Sequence, residues 1–134
     1  MNIFSPVDRV EEIEEVIKRG GNEIYCGVLS QRWSEKYTHT IGSMNRREGA
    51  RANLQRLEDL GECTRIAHSL NAQVFLTMNA PFYTEAQYPI ILETIKEAIE
   101  LGIDGLIVTD IGLILEMKKN NINTKIHIST GGTV

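Results

Sequence analysis

An α/β fold with parallel strands is what this sequence predicts, and three observations predict it. Short apolar runs alternate with longer segments whose apolar residues recur at helical spacing. Each run closes on a small or polar residue, after which a turn leads into the next helix. One run, GLIVT at residues 105–109, is apolar up to its final threonine, the pattern of a strand covered on both faces of a parallel sheet.

The elements follow in order. Residues 2–4 form a short apolar start. Ser5-Pro6-Val7-Asp8 reads as a helix opening, with Ser5 as cap, Pro6 at the first helical position and Asp8 reaching back. Val10, Ile13 and Ile17 then share a helical face until Lys18-Arg19-Gly20-Gly21 ends it. EIYCGV at residues 23–28 is strand two, and a helix over about residues 55–70 sets Leu57, Leu60, Thr64 and Ala67 on one side. QVFLTM at residues 73–78 is strand three. Thr84 with Gln87 makes a capping box for helix three, which Ile91, Leu92, Ile95, Ala98 and Ile99 carry to Leu101-Gly102; Pro89 sits deep enough to predict an irregular first turn. Strand four is the GLIVT run. A short helix over about residues 111–119 leads to strand five at residues 125–129, followed by the turn Thr130-Gly131-Gly132.

Five strands alternating with four helices fit two architectures. An open sheet of five such units would finish with its fifth helix packed on the sheet. A (β/α)8 barrel uses the same units and needs roughly 250 residues. Because the 134-residue chain stops at the turn after strand five, the expectation is a single α/β domain over residues 1–134, the amino-terminal portion of a partial (β/α)8 TIM-like barrel that ends before helix five. Strands one and five would then both lack a neighbour, so a non-catalytic reading, a binding or assembly module, predicts a homodimer or a partner over the open edge.

Composition narrows the function classes. No apolar run approaches the 18 or so residues of a membrane span, and the start MNIFSPVDRV lacks the features of a secretory signal, which points to the cytoplasm. Cys26 and Cys63 have no CxxC or zinc spacing and read as reduced packing residues. His39, His68 and His127 show no ligand spacing, so no metal is expected. The net charge is -4, yet residues 31–54 carry an excess of three positive charges. Nucleotide and hydrolase signatures (GxGxxG, the Walker loop, GxSxG) are missing, and FSPVD lacks the acidic cluster a receiver-type module would place after strand one.

Candidate functional residues follow from the rule that chemistry gathers where strands end. Those positions hold Ser5, Cys26 and Gly27, Asn79, Asp110, and Ser129 with Thr130. A carboxylate after an apolar run must be paired, used as a cap, or held for a proton or cation, which singles out Asp110. Asn79 offers donors and acceptors to a ligand, and alternation places His127 on the same side as Ser129. Backbone N–H groups of Thr130-Gly131-Gly132 could receive an anion. Residues 31–54 are too long for an ordinary loop and predict a lid or binding loop, in which Arg32, Arg46, Arg47 and Arg51 grip carboxylate or phosphate while Trp33 and Tyr37 offer stacking surfaces. The alternative is a solvated basic loop that pairs with acidic helices.

EIYCGV at 23–28, FLTMNA at 75–80, GIDGLIVTDIG at 102–112 and IHISTGGTV at 126–134 together resemble the amino-terminal barrel of the peptidase U32 family, the collagenase-like proteins. The resemblance implies a TIM-like barrel followed by a cysteine-bearing region. It implies a protease-type hydrolase acting on a peptide or other anionic substrate; the alternative is hydroxylation of RNA or of a ubiquinone precursor, so RNA is a possible partner. Some members hold an iron–sulfur cluster on four cysteines. This chain lacks those cysteines, so no cofactor is expected within it, a cluster being possible only in a longer protein, and activity is expected only from the longer protein. Glu23, Tyr25 and Gly27 match the family's ExYxG strand, Asp110 its strand-four acid, and His127, Ser129 and Thr130 its strand-five element. The family offers no settled catalytic motif to carry over, so the strand-end argument supplies the catalytic candidates, Asp110, Asn79 and His127, with Glu23, Tyr25, Arg32, Arg46, Arg47, Arg51, Ser129 and Thr130 for substrate.

Overall fold

The computed structural model describes residues 1–37, 44–47 and 49–132. Its strands are β1 (Phe4–Pro6), β2 (Glu23–Cys26), β3 (Gln73–Met78), β4 (Gly105–Val108) and β5 (Lys125–Ile128). Between them lie the helices α1 (Ile13–Lys18), α2 (Gln31–Tyr37), α3 (Leu57–Ser69), α4 (Tyr88–Glu100) and α5 (Ile111–Lys119). All strands are parallel and pair in the order β1-β2-β3-β4-β5. That order decides between the two architectures. Right-handed crossovers that always step the same way along a sheet leave every helix on one face, which is the winding of a barrel and not of a two-sided sheet. The sheet is not closed: β1 and β5 are its two edges.

Alternation along the strands separates two cores. Ile24, Cys26, Val74, Leu76, Met78, Leu106 and Val108 are buried under the helices, against Leu60, Cys63, Ala67, Ile91, Ile95, Leu113 and Met117. Burial raises both cysteine thiols above their ordinary range, Cys63 to about 12, so neither forms a thiolate near neutral pH. The other face is concave and aromatic. Phe4 stacks on Tyr25 at 5.4 Å and lies 5.4 Å from Phe75, and His127 meets the Phe75 ring edge-on at 4.6 Å. Phe4 of one edge strand and His127 of the other are themselves 5.5 Å apart, so the sheet curls far enough for its two edges to touch across the interior.

Helix ends follow local chemistry. The chain leaves α1, α3, α4 and α5 through Gly20, Asn71, Gly102 and Asn121, all with positive φ, the left-handed stop that glycine and asparagine adopt most readily. Asp110 caps α5 by accepting from the Gly112 N–H at 2.9 Å. At α4, Thr84 N–H donates to Gln87 Oε1 at 2.8 Å, but the helix begins only at Tyr88, leaving Pro89 inside the first turn where no backbone donor is needed.

Three expectations are corrected. Pro6 closes strand β1 instead of opening a helix, and Ser5 lies within that strand. An edge position tolerates the missing N–H, and the register Phe4↔Glu23 to Pro6↔Tyr25 fixes the strand at Phe4–Pro6, later than its apolar start at residues 2–4 implied. α1 is correspondingly delayed behind a 3-10 turn at Val10–Glu12, and Asp8 does not cap it; Glu12 reaches back to the Asp8 N–H. The described residues hold five α-helices, not four, because residues 31–37 of the supposed loop form α2.

The rest of that segment is not a free lid where it is described. Leu54 N–H donates to the Gly27 carbonyl at 2.8 Å and Leu29 N–H to the Leu54 carbonyl at 2.9 Å, so its return leg is zipped onto the end of β2. Trp33 and Tyr37 are buried with rings 4.7 Å apart, and offer no stacking surface. Among the described residues, no helix is long and apolar enough to cross a membrane.

Candidate functional site

The strand carboxyl ends converge on Asn79, the residue after β3. Its Oδ1 accepts the Arg46 N–H at 3.0 Å, its Nδ2 reaches Ser129 Oγ at 3.5 Å, and its carbonyl accepts from Thr109 Oγ1 at 3.2 Å. Asn79 thus joins the arginine segment to the ends of β4 and β5. Ser129 begins the turn to Gly132, closed by a Gly132 N–H to Ser129 carbonyl bond of 2.8 Å. The Arg46 guanidinium lies over this turn: a Cβ at Gly131 would come within 2.8 Å of Arg46 Nη1, so a larger residue there would push the guanidinium aside. Beside it, Pro81, Thr109, Asp110, Ile111, Ile128 and the two glycines line a recess of about 510 Å³.

The two adjacent arginines have different fates. Arg47 is mostly buried: it pairs with Asp8, donates Nε–H to the Ala52 carbonyl at 2.7 Å and sits 5.5 Å over the Tyr25 ring. Arg46 is exposed, and among the described residues its guanidinium forms no ion pair. Both are placed by a buried amide pair. Asn45 Nδ2 donates to Asn53 Oδ1 at 2.9 Å, Asn45 Oδ1 accepts the Arg47 N–H at 2.8 Å, and Asn53 Nδ2 holds the Arg47 and Gly49 carbonyls at 2.9 and 3.0 Å.

Of the other expected site residues, Asp110 and Thr130 stand at this mouth, and the rest do not. Glu23 begins β2, at the end of the strand away from the mouth, where it accepts from Asn2 Nδ2 at 2.8 Å. Arg32 pairs with Glu97 and Glu93 on α4, not with the mouth residues. Arg51 is exposed on the 3-10 turn Ala50–Ala52, and Thr130 is exposed in the β5 turn. His127 packs in the concave interior, its Nε2 buried without a hydrogen-bond partner in the described structure. His39 lies outside the described residues. Asp110 is fully engaged: beyond its cap on Gly112, Oδ2 accepts from Tyr88 OH at 2.9 Å and from the Tyr83 N–H at 3.2 Å.

Sequence reasoning missed Tyr83, Asn45, Asn53 and Asp8, whose partners lie up to 39 residues away. It also passed over α2, although the i, i+4 spacing of Trp33 and Tyr37 was a signal.

Burial raises the Tyr83 phenol, and burial with the Asp110 hydrogen bond pushes Tyr88 to about 12 from its ordinary 10. Raised acids stabilise the fold in full below the unfolded value and lose that contribution as pH climbs through the folded one. Thermal stability is therefore expected to fall as pH rises from about 10 to about 12, and Tyr88→Phe to lessen the fall; a flat melting temperature across that window would contradict the assignment.

A family model for peptidase family U32 matches residues 8–134. The chain belongs to peptidase family U32. Among solved structures it is similar to the U32 peptidase Mk0906, with a TM-score of 0.68 and 14% identity, covering 100% of this chain and 51% of that one. A proposed phosphonomutase from Burkholderia cenocepacia follows at a TM-score of 0.62 and 11% identity, covering 96% and 55%, and a maltogenic alpha-amylase from Thermotoga neapolitana at 0.58 and 12%, covering 93% and 44%. At these identities the likeness is one of fold. No curated protein matches. This U32 chain spans about half the length of the first two structures.

The four-cysteine iron–sulfur site that the family resemblance implies for some members does not fit the residues of this U32 chain. It has two cysteines, both buried, and among the described residues no cluster of three His, Cys, Asp or Glu side chains could hold a metal ion. At the U32 mouth stand the exposed Arg46, the Asn79 amide, the hydroxyls of Ser129 and Thr109, and a glycine turn.

Proposed function

We propose that this chain is the substrate-recognising part of a U32 hydrolase acting on peptides, and that Arg46 receives a substrate carboxylate at the barrel mouth. The observation that carries the reading is the contrast between the arginines: Arg47 is consumed by Asp8, Ala52 and Tyr25, whereas Arg46 is held in place by its backbone with its guanidinium left for a ligand. A planar cation with paired donors matches a carboxylate in bidentate fashion.

The test is an NMR titration with an N-acetylated dipeptide bearing a free carboxylate, and with its carboxamide. Charge-assisted hydrogen bonds are worth about 1.5–3 kcal/mol, so Arg46→Ala is expected to weaken carboxylate binding about ten- to hundredfold while leaving the carboxamide unaffected. Arg47→Ala should lower the melting temperature instead, because it strands Asp8. Equal affinity of Arg46→Ala and the parent would remove Arg46 from the site.

The Phe4–Tyr25 stack on the concave face favours a second reading, hydroxylation of an RNA base or a ubiquinone precursor, since Phe4 is 38% exposed and presents a flat ring to a flat substrate. Ring-current shifts at Phe4 on adding a nucleoside, with no response to the dipeptide, would favour it over peptide hydrolysis.

A further inference from the structure

We propose that Tyr83 is a positioning residue for this anion site, its hydroxyl fixing the segment that presents Arg46. The inference rests on the carboxylate-binding reading above. Arg46 can lie over Gly131 only while residues 44–47 keep their place. Asn79 holds that segment by the Arg46 N–H, and Asn53 holds it through Asn45. A further tie is at Met44, whose carbonyl accepts from the Tyr83 hydroxyl.

The same phenolic oxygen accepts the Ala80 N–H at 3.3 Å. One atom therefore links the arginine segment to the residue directly after Asn79, so the two halves of the site share a fixed reference. Tyr83 is 7% exposed and is itself held at both ends. Its backbone N–H donates to Asp110 Oδ2 at 3.2 Å, and its ring meets Tyr88 at 6.4 Å, whose hydroxyl donates to that same carboxylate oxygen at 2.9 Å. The expected acid after strand four thus also holds Tyr83 in place. Burial keeps the Tyr83 phenol protonated, so the donor toward Met44 is retained at neutral pH.

Tyr83→Phe keeps the ring and deletes the atom that joins the segments. In the dipeptide titration it is expected to weaken carboxylate binding about fivefold, the worth of one net hydrogen bond. Combined with Arg46→Ala it should add no further loss, because both act on one guanidinium. Tyr88→Phe controls for general loosening: it frees one lone pair of Asp110 but spares the Tyr83–Met44 bond, so affinity should stay within about twofold of the parent.

Parent-like affinity in Tyr83→Phe, losses that multiply with Arg46→Ala, or an equal loss in Tyr88→Phe would each overturn the proposal. If Tyr83→Phe does not fold, Tyr83→His is used, which keeps a ring but is too short to donate to the Met44 carbonyl: weakened affinity there supports the tie, and parent-like affinity overturns it. An Arg46→Ala variant that binds normally defeats the carboxylate reading itself, whereas loss in Arg46→Ala with normal binding in Tyr83→Phe defeats only this inference.

Discussion

Asn53→Ala is expected to lower the unfolding free energy by about 3 kcal/mol, read as a shift in the urea midpoint. Asn53 is 1% exposed and uses its whole amide, donating to the Arg47 and Gly49 carbonyls and accepting from Asn45. Truncation removes three bonds and leaves their partners in a place water reaches poorly, so the cost exceeds that of one exposed hydrogen bond. Gly27 shows how closely this pair is packed, since an added Cβ there would overlap Asn53 Oδ1 and lie 2.6 Å from Asn45 Nδ2. The same variant should weaken carboxylate binding, because Arg46 follows Asn45 directly. A midpoint within 0.5 kcal/mol of the parent would mean that the segment is held by something else.

The second large effect is expected elsewhere on the same concave face. Phe75→Ala should cost about 3–5 kcal/mol, the range for emptying a buried aromatic position. Phe75 is 0% exposed and touches both Phe4 and His127, while Lys125 Nζ lies 5.3 Å over its ring. Its loss removes the ring against which both edge-strand rings pack. Phe75→Leu, which refills much of the volume, should recover more than half of the loss; an alanine variant as stable as the leucine one would show that the aromatic layer contributes little.

The interior strands were legible because burial on both faces leaves a plain signature: GLIV at β4 and VFLTM within β3 have few other places to go. α5 was legible to the residue, since a capping aspartate, an apolar face and terminal lysines agree. β1 was misplaced because Ser-Pro-x-Asp is locally a good helix opening, and only pairing with β2, about twenty residues on, overrides it. α2 was missed because its two anchors, Trp33 and Tyr37, stand among charges, and what settles them is tertiary: the Tyr37 hydroxyl donates to the Ala86 carbonyl at 3.2 Å.

In the site, Asn79 and Ser129 could be found from strand ends alone. Glu23 could not be excluded from it, because side-chain alternation tells the face of a strand and says nothing of its end. Nor does adjacency in sequence tell Arg46 from Arg47; that difference is made by Asp8 and Ala52, which the fold brings to one of them only.

The contact between Phe4 and His127 across the concave face has a kinetic side. It joins residues near opposite ends of the chain, and it can form only after the strands between them have stacked in order. Contacts of such long sequence span carry the largest loop-closure cost, so this one is expected to be among the last to form during folding.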